Sequence, residues 1–180
     1  MILIAPSRLS DAYDSLDRFV SEQDGNSFNG FHTGYVSREE GYKAPLAIAA
    51  REALQLATWR PDLIGTGHLK QAVLRAIAVR VPWVGKTLPN NLVHWQQVQP
   101  FQELPNAAVE QAIHDLFRSS EAPSAIYERL RDAGVSYQIA AFLFFVKEPE
   151  VYLPITQQRF DQAFRLLGVQ GFKTWGAKGW

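Results

Sequence analysis

The stretch YQIAAFLFFVK, residues 137–147, decides the fold. Residues 139–146 are apolar without a break. A helix that is apolar on every side belongs at the centre of a protein, surrounded by other elements. The run is far shorter than the ~20 residues that a membrane-spanning helix needs. Ser136 stands where an N-cap is expected. Pro149 and Pro154 bracket a short extended piece after the run.

Working outward, amphipathic helices flank this centre. Residues 123–133 put Ile126, Tyr127 and Leu130 on one face, with Gly134 as the stop. Residues 106–118 do the same with Val109, Ala112, Ile113, Leu116 and Phe117. On the C-terminal side, 157–167 carries Phe160, Ala163, Phe164 and Leu167, with Thr156 as cap and Gly168 as stop. In the N-terminal half, 11–23 reads as a helix with Ser10 as N-cap. Asp11, Asp14 and Asp17 would lie early in it, where the helix dipole favours them. Tyr13, Leu16, Phe19 and Val20 form its stripe, and Gly25 ends it. Residues 26–35 (NSFNGFHTGY) read as a loop. A helix then runs from Pro45 towards Trp59, and another follows Gly65-Thr66-Gly67. Pro82, Gly85 and Pro89 mark 81–91 as an irregular connector; Leu92, Val93 and Trp95 fit a short strand or one helical turn. The expected architecture is all-α: one compact domain, 1–180, of about seven helices. A finer division into lobes 1–90 and 105–180, with a short extended segment between, is compatible with it.

Composition narrows the function classes. The chain has 180 residues, 47% apolar and 20% charged, as a globular protein does. With no cysteine it has no disulfide, no thiolate metal site and no cysteine nucleophile. No signal-peptide core and no membrane span are read, so a cytoplasmic location is expected. Lys and Arg together equal Asp and Glu at 18 each, yet the charges fall in blocks. Residues 1–37 hold 2 basic and 5 acidic groups, 38–90 hold 8 and 4, 91–150 hold 4 and 8, and 151–180 hold 4 and 1. The two basic blocks suit a polyanion if the fold brings them onto one face; solvated surface is the plainer reading.

No catalytic motif stands out. His32, His68, His94 and His114 show no metal-binding spacing, and Glu110 with His114 reads as a solvated pair on a surface helix. Pro61-Asp62 is followed by Gly67-His68-Leu69-Lys70, which lacks the second acid that a metal-dependent nuclease needs. There is no phosphate-loop signature and no nucleophile elbow. Gly65-Thr66-Gly67 before a helix offers backbone N–H groups to an anion, or is a plain helix start. Residues 156–169 imitate the first half of a helix-turn-helix, but the following QGFKTWGAKGW is too glycine-rich for a recognition helix. No cofactor and no metal are expected. Aromatic and basic residues interleave at Trp59-Arg60, Trp83 with Lys86, and Lys173-Thr174-Trp175, a pattern that suits stacking on bases.

Tyr42-Lys43-Ala44-Pro45-Leu46, opening an Ala/Leu helix, resembles the basic-Pro-Leu helix start of helical domains that accompany HNH endonucleases in prokaryotic restriction systems. Some of those are DNA sulfur-binding domains, which read phosphorothioate DNA. Residues 142–145, 152–155 and 167–169 resemble a pattern in bacterial proteins of the same neighbourhood. The resemblance implies a DNA-recognition module of a restriction or anti-phage system, with any nuclease elsewhere. Its Tyr-Pro-Phe pocket corresponds to Gln99-Pro100-Phe101 here, with glutamine in place of tyrosine. Pro100 and Phe101 are thus the expected apolar pocket. Lys43, Arg51, His68, Lys70, Gln158, Arg159 and Lys173 are the expected nucleic-acid contacts. The alternative is a non-catalytic adaptor or homodimerising subunit that joins a nuclease or another defence subunit.

Overall fold

The computed structural model describes residues 4–30, 33–154 and 157–169, without the side chains of 157, 158 and 160. The described chain is mostly helical, with a single two-stranded ribbon. In chain order the elements are α1 (Pro6–Asp24), α2 (Gly34–Glu40), α3 (Lys43–Leu54), α4 (His68–Ile77), β1 (Arg80–Trp83), β2 (Lys86–Pro89), α5 (Val98–Glu103), α6 (Asn106–Arg118), α7 (Pro123–Asp132), α8 (Tyr137–Lys147) and α9 (Gln157–Leu166). Two compact units result: Met1–Tyr42 with Ile155–Trp180, and Lys43–Pro154.

In the first unit, α1 starts earlier than its spacing predicts. Pro6 occupies the first turn, where its missing N–H costs nothing, so Ser10 lies inside the helix. Asp17 therefore does not serve the helix start; its carboxylate accepts the Phe28 N–H at 2.6 Å and folds the 26–30 loop back. Tyr13 meets Phe28 edge-on with centroids 6.0 Å apart, and Phe19 meets Tyr35 at 5.4 Å. Gly25 ends α1 in the left-handed conformation, as expected. α9 ends at Leu166, one residue before its expected limit.

The second unit is built around α8, whose Ile139, Ala140 and Phe142–Val146 are all buried. α3, α6 and α7 pack on it. Inward residues of these helices, with Leu69, Val73 and Ala76 of α4, complete one core cluster. Trp59 belongs to it too: its indole N–H donates to the Leu54 carbonyl at 2.8 Å, and its ring meets Phe117 edge-on. The Ser136 hydroxyl makes no capping bond and lies buried without a partner.

The Tyr137 hydroxyl, at the start of α8, is pushed up to about 12 by burial, with Tyr127 nearby adding to the effect. An unfolded tyrosine ionises near 10, so the unfolded chain loses this proton first. The stabilisation is intact below about pH 10 and is lost as pH rises towards 12. Urea midpoints measured between pH 9 and 11 should fall, with a shallower fall in Tyr137→Phe.

The ribbon replaces the irregular connector expected at 81–91. Its register pairs Arg80 with Pro89, Val81 with Leu88, Pro82 with Thr87 and Trp83 with Lys86. In an antiparallel ladder, hydrogen-bonded and non-bonded pairs alternate. The Asn90 N–H donates to Val79 O at 3.1 Å, which makes 79/90 a bonded pair. Counting along the ladder, both prolines fall in non-bonded pairs, where no N–H is missed. Val84 (φ 45°) and Gly85 (φ 74°) form the tip, both left-handed as a two-residue type I′ turn requires. Glycine meets this at no cost, whereas a β-branched valine is strained by about 1–2 kcal/mol. Val81, 2% exposed, roots the ribbon beside α3.

Candidate nucleic-acid interface

The Gly65-Thr66-Gly67 turn before α4 does hold an anion, and the anion is the protein's own. The Glu110 carboxylate on α6 is fully buried. Its Oε2 accepts the N–H groups of Gly65 (2.8 Å) and Gly67 (3.0 Å), and Oε1 accepts that of Lys70 (2.9 Å). Gly65 and Gly67 have φ of 89° and 88°, a region in which side-chain-bearing residues are strained. A negative group at a helix N-terminus satisfies orphan donors and complements the dipole. Glu110 is therefore not the solvated acid of a surface pair. It clamps the start of α4 to α6, and its seat is closed to an outside phosphate.

Lys70, expected at a phosphate, is 5% exposed. Its ammonium points inward and donates to the carbonyls of Gln102 (2.8 Å) and Leu104 (2.7 Å) at the end of α5. That is where a cation meets orphan carbonyls and the negative end of a helix dipole. With both carbonyls served, Lys70 is a structural bridge between α4 and α5.

The other expected residues are scattered. Lys43 opens α3 and is half-buried. Arg51, on the outer side of α3, donates to the Lys147 carbonyl at 3.0 Å and so closes the end of α8. His68 begins α4 half-buried, with Nε2 enclosed and unpartnered. Phe101, 2% exposed, fills the core instead of walling an open pocket, while Pro100 beside it is exposed. On α9, in the first unit, Arg159 is exposed and donates to Gln162 at 3.3 Å; the Gln158 side chain and Lys173 lie outside the described residues. The first unit also has a cavity of about 840 Å³ beside Asp24, Asn29 and Arg38. Asp24 there is engaged: the Arg38 guanidinium and then the Tyr35 N–H hold its carboxyl below the usual range.

A different set of cations stands out. Between Asp62 and Glu103 the chain carries no Asp or Glu. Of the basic residues in that stretch, Lys70 is buried, while Arg75, Arg80 and Lys86 are exposed. These three have no hydrogen-bond or ion-pair partner among the described residues. α4 buries Leu69, Ala72, Val73, Ala76 and Ile77, which leaves Gln71 and Arg75, four apart, on its outer face. Arg80 and Lys86 follow on the ribbon two residues beyond the helix cap. The sequence carried a signal for them in the acid-free stretch, but block totals for 38–90 dilute it with Glu39, Glu40, Glu52 and Asp62.

Among the described residues no three His, Asp or Glu side chains are placed to hold a metal ion, and no helix is long and apolar enough to cross a membrane. Comparison with known proteins finds no matching family model, no matching curated protein and no matching solved structure.

Proposed function

We propose that the Lys43–Pro154 unit binds duplex DNA through the outer face of α4 and the β1–β2 ribbon. The observation that carries this is the trio Arg75, Arg80 and Lys86, exposed and unpartnered on consecutive elements of an acid-free stretch. A helix and a two-stranded ribbon are the two elements that a B-DNA groove admits. Gln71 on the same helix face presents an amide that can read an adenine edge. The restriction or anti-phage setting, and with it selectivity for phosphorothioate DNA, rests on the resemblance of residues 42–46; of its pocket pair, Pro100 is the exposed member.

Fluorescence anisotropy of the full chain with a ~20 bp duplex, plain and phosphorothioate, tests the proposal over a salt series. Each phosphate contact contributes about 0.9 to the slope of log K against log salt, so three cations give about −2.7. Affinity should then fall about 40-fold between 50 and 200 mM salt. Absence of binding at 50 mM, or a flat salt series, overturns the reading.

A second reading, a protein-binding adaptor, is favoured by Trp95, which is 74% exposed beside His94. Exposed tryptophans are frequent interface anchors. Under that reading light scattering shows a dimer that Trp95→Ala dissolves, with no affinity for DNA.

A further inference from the structure

We infer that the tip of the ribbon is a wedge: Val84 enters the minor groove of the bound duplex and bends it. This rests on the DNA-binding reading above and adds the groove, the inserted residue and the distortion.

Three observations converge on Val84. It is 65% exposed, an apolar side chain standing at the apex of the ribbon. It also stands at φ 45°, in a turn whose first position normally carries Asn, Asp or Gly. The residue is wrong for the turn, and where a local rule is broken at an exposed tip, function is the place to look for the compensation. Finally, its surroundings are cationic. Arg80 and Lys86 flank it, and the whole 63–102 segment is without acids.

Reach is sufficient. Four residues of strand extend about 13 Å, and the minor groove is about 7.5 Å deep. Arg80 and Lys86 would then meet the phosphates lining the groove while the tip reaches the base edges. Pro82 and Pro89, seated where no N–H is needed, stiffen the arm without weakening its ladder. Apolar side chains carried into the minor groove on such arms part-unstack a base step and kink DNA by tens of degrees. Pyrimidine–purine steps yield most easily. Duplex DNA is thus the occupant that combines polyanionic walls with an apolar, stackable floor.

The experiment uses the full chain and a ~25 bp duplex, labelled at both ends, with a central TA step. Anisotropy reads binding, and energy transfer between the ends reads bending. Val84→Asn is the informative variant because asparagine suits the left-handed turn, so the ribbon is kept. Its Tm should rise by about 2–4 °C. The wild-type chain is expected to bind with the salt dependence given above and to shorten the end-to-end distance, more at TA than in an A-tract. V84N is expected to keep the salt slope but to leave the duplex straight. Wild-type binding without a change in energy transfer overturns the wedge and leaves the DNA reading standing. Equal bending by V84N overturns it too. Absence of salt-dependent binding by the wild type removes the DNA reading itself, and the wedge with it.

Discussion

Glu110→Ala is expected to destabilise the Lys43–Pro154 unit by about 3–5 kcal/mol, measured as a lower urea midpoint at unchanged m-value. The carboxylate is fully buried and accepts three backbone N–H groups. Truncation leaves these donors facing a void, and each buried donor without a partner costs about 1–3 kcal/mol. Water entering from the side of exposed Gly65 offsets part of this, which is why the range stops short of the full sum. Glu110→Gln discriminates further. The amide oxygen can replace one carboxylate oxygen, but the amide nitrogen then confronts an N–H, so roughly half the loss should remain. Lys70→Ala should be destabilising too, because it strips the cation from the Gln102 and Leu104 carbonyls. A phosphate-binding lysine on the surface would behave in the opposite way, with unchanged stability and weaker DNA binding. A Glu110→Ala midpoint shift equivalent to less than about 1 kcal/mol sinks the clamp.

The elements that the sequence announces are those whose signals are local. α6 and α8 begin and end where spacing and flanking residues place them, and α7 ends one residue early. Their periodicity and the left-handed Gly134 all act within a few residues. The ribbon was hidden by the same local rules. Pro82, Gly85 and Pro89 read as breakers until the register is known, and only then do they fall at the positions a hairpin tolerates. Glu110 was hidden for a different reason. Its three donors lie 40–45 residues away, so nothing near it in the chain marks it as buried. Lys70 finds its acceptors 32 and 34 residues away. Most of the expected site residues were chosen by type and block charge, and the fold uses Arg51 and Lys70 on carbonyls and Phe101 in the core. The charge bias of 38–90 survives in the structure, carried outside by residues that typing alone did not select.

Replacing Arg75, Arg80 and Lys86 together by glutamine is the change expected to separate stability from DNA binding most cleanly. All three are exposed and without partners among the described residues, so the urea midpoint should move by no more than about 0.5 kcal/mol per site. Binding is another matter. If each cation releases the counterions of one phosphate, the triple variant loses about 2.7 from the salt slope. The loss in log K then grows as salt falls. It vanishes when both lines are extrapolated to 1 M and reaches about 10^2.7, or some 500-fold, at 0.1 M. That dependence on salt identifies phosphate contact in a way that one affinity cannot. A protein–protein hot spot lost through the same substitutions would lower affinity by a factor that salt hardly changes. Single variants should each remove about one unit of slope and act additively, because the side chains share no partner. A triple variant that keeps the wild-type slope would place the phosphates elsewhere on the molecule, however strongly the chain binds.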